Sequence, residues 1–275
     1  MNSIADGDTH GDADKKEIIT LTKETVMRLV KDVKELIKTP LTSHGIYYEH
    51  NESDMLKGKA MIIGPKNTPY EGGFYLFEFK FPTNYPHSPP KVKFCTGDGK
   101  TRFNPNLYKS GKVCLSVLNT WTGEQWTGCQ TISSILLALC TVLNETPLLN
   151  EPGIKKNHKD FDNYNKILEY KNIEVAIYNM IKSPATIEHF PMFMDSMKQS
   201  FLANYDIIIQ RMQAQQDQAE QDQAEQDQAE HLQDQAEHMQ DQTIIIDTRV
   251  YNMSIVIDYN LLKSKIFMLR ESLLL

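Results

Sequence analysis

Residues 68–94 read TPYEGGFYLFEFKFPTNYPHSPPKVKF, and this stretch decides the fold class. Gly73–Phe81 is mostly aromatic, with Phe74 and Leu76 set to face opposite to Tyr75, Phe77 and Phe79, so it reads as a strand. Glu71-Gly72-Gly73 turns the chain before it, and the proline cluster Pro82–Pro90 breaks the chain after it. Lys91–Phe94 follows as another strand, while Lys57–Ile63 and Ile46–Glu49 precede, with Gly64-Pro65 as a turn. Further upstream, Ile18–Lys38 sets Val26, Leu29, Val30, Val33, Leu36 and Ile37 at helical spacing, with Arg28, Lys31 and Lys34 between them. Pro40 closes this amphipathic helix. A helix followed by strands joined through short turns predicts an α+β fold: an N-terminal helix, a four-stranded antiparallel meander, then helices.

Downstream, Phe94–Trp126 has little periodicity, the character of segments that bind or catalyse. Gln130–Asn144 reads as a buried helix through Ile132, Ile135, Leu136, Leu139, Val142 and Leu143. Tyr164–Lys182 and Thr186–Met212 read as two more, separated by Ser183-Pro184. QDQAE then recurs from residues 216, 221, 226 and 233. A five-residue period does not keep to one side of a 3.6-residue helix, so the repeat is either a solvated helix or a disordered spacer. Four segments are expected: a disordered acidic tail (1–15), a core domain (16–211), the repeat insertion (212–242) and a C-terminal extension (243–275). The extension combines Thr243–Tyr259, rich in Ile, Val and Tyr, with an amphipathic helix over Asn260–Leu275. Its apolar content should dock back onto the core, since a wet apolar patch invites association.

The net charge of −7 misleads, because residues 212–242 hold many acids and no Lys or Arg, leaving the remainder near neutral. Such a balance gives no basic stripe for nucleic acid. Cys95, Cys114, Cys129 and Cys140 form no spacing that suits zinc, so no metal site is expected. Met1–Asp14 is polar and acidic, unlike a signal peptide, and the longest apolar run, Ile135–Cys140, is too short to span a membrane. The expectation is a soluble cytoplasmic protein, also suited to the nucleus, with reduced thiols and no membrane partner.

Cys114 stands between Val113 and Leu115, a setting in which a cysteine is by default a small core residue. Two features argue for more. Between Gly99 and Gly123 there is no Asp, Glu or His, but there are Lys100, Arg102, Lys109 and Lys112, and positive charge favours the thiolate. Asn106, in Asn104-Pro105-Asn106, could aim an amide at a carbonyl reacting at Cys114, or could only cap its own loop. With no histidine close in sequence, the site suits holding a thioester rather than hydrolysing it. Cys140, on an apolar helix face, and Cys95, after a strand, read as packing residues; Cys129 is expected to be exposed, and Trp121 and Trp126 to anchor loops.

TPYEGGFY, FPTNYPHSPPKVKF, NPN with Cys114 eight residues after Asn106, and Trp126 together resemble the ubiquitin-conjugating enzyme family over about residues 18–185. RFNPN, GKVCLS, the paired tryptophans of TWTGEQW, NEPG, and Ile257-Asp258-Tyr259 with its Leu-rich sequel are similar to the Z-type subgroup. The resemblance implies the ubiquitin-conjugating (UBC) fold with a C-terminal helical extension. It implies that Cys114 accepts ubiquitin, or a ubiquitin-like protein, from an activating enzyme as a thioester. A lysine of a protein substrate then attacks, guided by a ubiquitin ligase. No cofactor is implied in this chain, since ATP is spent upstream by the activating enzyme.

Within the resemblance, Asn106 stabilises the oxyanion or braces the loop. The carboxylate that helps the lysine lose its proton aligns with Asn150 or Glu151, of which only Glu151 can act as a base. Asn104 replaces the family's loop-organising histidine, His87 stands where many members place a ligase-contacting phenylalanine, and Thr127-Gly128-Cys129 replaces Ser-Pro-Ala in the second ligase-contacting loop. Arg28, Lys31 and Lys34 suit a dock for the activating enzyme, or are a solvated basic face. A catalytically inactive scaffold is the competing function, against which the intact Cys114 and Asn106 argue. A cysteine hydrolase would need His158 or His189 as base and lacks the aromatic-flanked cysteine signature.

Overall fold

The computed structural model describes residues 21–230 and 244–275, with side chains described to residue 222 and again from residue 244. The expected acidic tail and the last QDQAE copy lie outside the described residues. α1 (Lys23–Lys38) starts after Thr22, whose hydroxyl accepts the Thr25 N–H and satisfies one of the free donors of the first turn. Of the Ile18–Lys38 expected, Leu21 and Thr22 lie outside the helix and residues 18–20 lie outside the described residues. Its buried face is Thr25, Leu29, Asp32 and Leu36, while Val30 and Ile37 face solvent.

β1 (Ile46–His50), β2 (Lys57–Ile63), β3 (Phe74–Lys80) and β4 (Lys91–Phe94) form one antiparallel sheet in that order. The register pairs Ile46 with Ile62, Met61 with Leu76, and Phe77 with Phe94. Strand alternation in β3 does not become alternating burial, because Phe74–Phe77 are all buried. Tyr75 meets Tyr70, Phe94 and Phe103 on one side. Leu76 on the other shares a groove with Ala185 and Phe190. Gly73 is needed for contact here: a Cβ would stand 1.9 Å from Asn172 Oδ1, which accepts the Tyr75 hydroxyl at 2.6 Å.

α2 (Ile132–Thr141) opens with a reciprocal capping box between Thr131 and Ser134 and is shorter than the Gln130–Asn144 expected. α3 (Phe161–Lys171) runs through a π-helical stretch, Asn172–Asn179, into α4 (Met180–Lys182), a rod that starts before the expected Tyr164. The expected helix Thr186–Met212 is instead two. α5 (Pro184–His189) ends before Pro191, which cannot continue an α-helix, and α6 (Met194–Glu230) runs past Met212 through three QDQAE copies. Of the two readings of the repeat, these copies take the helical one. Side-chain pairs Gln213–Asp217, Gln216–Glu220 and Gln218–Asp222 support that stretch. Lys166 of α3 pins it through Asp222 at 2.6 Å.

The C-terminal segment folds as a hairpin, β5 (Ile244–Thr248) with β6 (Met253–Ile257), followed by α7 (Tyr259–Leu274), whose cap Asp258 accepts the Leu261 N–H at 2.7 Å. Met253, Ile255, Ile257, Leu262, Ile266 and Leu269 are buried in the same apolar cluster as the sheet and α2. Among the described residues no helix is long and apolar enough to cross a membrane.

Candidate active site

The loop from Arg102 to Cys114 is built around buried amides. Asn104 is fully buried; its Nδ2 donates to Tyr70 Oη at 2.8 Å and to the Val142 carbonyl at 2.7 Å, and its Oδ1 accepts the Asn106 N–H at 2.9 Å. Asn104 thus organises the loop, as the histidine it replaces was expected to do. Asn106 and Cys114 clasp each other: Asn106 Nδ2 donates to the Cys114 carbonyl at 2.7 Å, and the Cys114 N–H donates to the Asn106 carbonyl at 2.9 Å. The Asn106 amide is therefore occupied by the backbone of Cys114 in this state. Its Oδ1 is buried without a hydrogen-bond partner among the described residues.

Cys114 is 2 % exposed, yet it stays outside the contiguous apolar cluster that takes up its neighbours Val113 and Leu115. Three of the four cations expected to favour its thiolate are engaged elsewhere. Arg102 donates to the carbonyls of Asn104 and Pro105 at 3.0 and 2.7 Å, with its guanidinium 3.3 Å from the centre of the Tyr108 ring and 4.9 Å from that of Tyr251. Lys109 donates to the Tyr251 carbonyl, Lys112 lies over Tyr108, and Lys100 is exposed. Arg102, Lys109 and Lys112 brace the loop, a role that sequence proximity alone does not distinguish from tuning the sulfur.

The two candidates for the acidic position separate clearly. Asn150, ending the 3-10 turn Pro147–Asn150, spends its amide on the Val142 carbonyl at 3.1 Å and accepts from Asn144 at 3.1 Å. Glu151 is half-buried and its Oε2 accepts the Tyr251 hydroxyl at 2.5 Å. Tyr251 was missed in the sequence. Its only signal was the Ile, Val and Tyr richness of residues 243–259, which gives no hint that one tyrosine crosses to Glu151.

The expected partner-binding residues divide. Arg28 is no free surface cation: it donates to the carbonyls of Gly128 and Gln130 and pairs with Asp32. Lys31 and Lys34 are exposed beside Met27, Val30 and Ile37, which makes a mixed basic and apolar stripe along α1. His87 is exposed, 3.2 Å from Glu24, and Thr127 and Gly128 are exposed on a neighbouring loop. Trp126 ties these loops together by donating to the Pro86 carbonyl at 2.7 Å.

Cys129 is exposed, whereas Cys95 and Cys140 are half-buried. Burial, helped by Glu78, pushes the Cys95 thiol up to about 12, and burial also raises Cys140. His158 uses Nδ1 to accept the Asp160 N–H, and His189 ends α5 beside Lys59.

A family model described as ubiquitin-conjugating enzyme matches residues 28–175. Ubiquitin-conjugating enzyme E2 Z of Danio rerio is 39% identical over 188 residues, covering 67% of this chain and 56% of that protein. The protein of the same name from Homo sapiens is 40% identical over 186 residues, 66% of this chain and 51% of its own. A probable ubiquitin-conjugating enzyme protein 17 of Caenorhabditis elegans is 36% identical over 182 residues, 61% of this chain and 25% of its own. The chain thus spans about half the length of the E2 Z proteins it matches.

Proposed function

The chain belongs to the ubiquitin-conjugating enzyme family, and from that premise we propose that it carries ubiquitin, or a ubiquitin-like protein, as a thioester on Cys114 and passes it to a lysine. In loading, the Cys114 sulfur attacks the thioester carbonyl on the activating enzyme; a new C–S bond forms and the activating enzyme's thiolate leaves. In transfer, a lysine amine attacks that carbonyl, a C–N bond forms, the C–S bond to Cys114 breaks and the sulfur leaves as thiolate. Lysine, with an unperturbed pKa of about 10.4, must give up a proton on the way, and Glu151 is the carboxylate that takes it. ATP is consumed upstream, so the chain itself needs no cofactor.

The observation that carries this reading is the clasp between Asn106 and Cys114 within a loop held by Asn104. It fixes an amide donor against the backbone of the reacting residue, and the same N–H can turn to an oxyanion at the sulfur, where such donors are worth about 10²–10³ in rate. Because Cys114 is 2 % exposed, its side chain has to turn outward for exchange. That burial is the one feature favouring the inactive scaffold instead. The α1 stripe with Lys31 and Lys34 is the surface offered to the activating enzyme, and His87, Thr127 and Gly128 that offered to a ligase. The test is incubation with activating enzyme, ATP and ubiquitin. A conjugating enzyme gives an adduct lost to reducing agent and absent from Cys114→Ala; a scaffold gives none.

A further inference from the structure

We propose that Tyr251, at the turn of the C-terminal hairpin, is a positioning residue for lysine transfer, acting through the Glu151 carboxylate; this rests on the function proposed above. Two independent features of the structure converge on it. The backbone of Tyr251 is left-handed at φ 65°, a conformation that a bulky residue adopts only when its surroundings enforce it. Those surroundings are present. Asp160 Oδ2 accepts the N–H groups of Arg249 and Val250 at 2.9 and 2.8 Å, Asn163 donates to the Asp247 carbonyl at 3.1 Å, and Lys109 holds the Tyr251 carbonyl itself.

The strained turn delivers one side chain with two contacts. The Tyr251 hydroxyl donates to Glu151 Oε2 at 2.5 Å, and its ring lies against the Arg102 guanidinium that also braces Asn104 and Pro105. Burial first, then the hydrogen bond to Glu151 and its charge, push the hydroxyl's pKa upward, so it remains a donor throughout the range in which proteins work. Oε2 is thereby committed to Tyr251, which leaves Oε1 as the oxygen to take the proton of an incoming amine. Asn150 cannot substitute, since its amide is spent on Val142 and Asn144. The extension, outside the 28–175 match, thus places a side chain on Glu151, which lies inside it.

The experiment uses the full chain, loaded with ubiquitin, freed of activating enzyme, and then discharged to free lysine or to hydroxylamine. Hydroxylamine is already unprotonated at neutral pH and needs no base. The readout is the ratio of the two discharge rates for wild type, Tyr251→Phe, Glu151→Gln and the double variant. Phenylalanine keeps the ring on Arg102 and removes only the hydroxyl. The expected result is a lysine-to-hydroxylamine ratio lower by about tenfold in Tyr251→Phe, and a double variant no worse than Glu151→Gln alone, because both act on one group. An unchanged ratio in Tyr251→Phe overturns the proposal. So do equal losses with both nucleophiles, which mark a merely structural role, and a double variant that multiplies the two single losses. Failure of the wild-type chain to load is seen before any discharge and overturns the function itself.

Discussion

Arg28 on α1 donates to the Gly128 carbonyl in the loop before α2, while its Nε holds Asp32 at 2.8 Å. Asp32 is 3 % exposed and also accepts the Tyr85 hydroxyl, so three segments meet on this pair. Removing the guanidinium strands a buried carboxylate. Arg28→Ala should therefore lower unfolding free energy by about 3 kcal/mol in denaturant titration. A loss below about 1 kcal/mol would mean the pair is solvated after all.

Lys34 is the contrasting cation, exposed on the same helix and in no ion pair among the described residues. Lys34→Glu should leave stability within about 0.5 kcal/mol of wild type. The rate of thioester transfer from activating enzyme should fall severalfold, and more so at low ionic strength, as expected for a charge that steers encounter. Unchanged loading at low salt would remove α1 from the activating-enzyme contact.

Much of the fold was legible because its signals are local. Lys57–Ile63 and Lys91–Phe94 match the observed strands residue for residue, since turn formers bracket them. The helix ends were less so. Thr22 and Thr131 are ordinary-looking caps, and Pro191 breaks a pattern whose apolar spacing continues across it. At the site, the resemblance pairs Asn106 with Cys114, but Arg28 reaches a partner 100 residues away and Tyr251 likewise. Such long-range contacts leave no periodic trace. Proximity in sequence also misled, since Arg102, Lys109 and Lys112 grip carbonyls and rings.

Three of the four thiols should separate by alkylation at pH 8. Cys129, exposed, should be labelled first. Cys95, with a thiol near 12, holds roughly a thousandfold less thiolate than an unperturbed cysteine and should react only after unfolding. Cys114, 2 % exposed, should lag behind Cys129 and be protected further once loaded with ubiquitin. Peptide mapping of labelled sites reads all of this at once. Early labelling of Cys95 would contradict its environment.

Asp98 caps the turn leading to Arg102, accepting the N–H groups of Lys100 and Thr101 at 2.9 and 2.7 Å and the Thr101 hydroxyl at 3.0 Å. Burial opposes its ionisation, but these donors and the Lys171 ammonium outweigh burial and depress its pKa. A carboxylate depressed in the folded state stabilises fully above its unfolded pKa of about 3.9, and loses that contribution as pH falls through the folded value. Asp98→Asn should cost about 2 kcal/mol at pH 7. The difference from wild type in urea unfolding should shrink below about pH 4. A gap that persists at pH 2 would show that shape rather than charge is at stake.

The most direct measurement is the intact mass of the chain after reaction with activating enzyme, ATP and ubiquitin, for wild type and for Cys114→Ser. The account predicts one ubiquitin on each, released by thiol reductant from wild type but retained as an oxygen ester by the serine variant and freed from it by mild alkali. Adducts of equal thiol sensitivity on both chains, or none on either, would contradict Cys114 as the carrier.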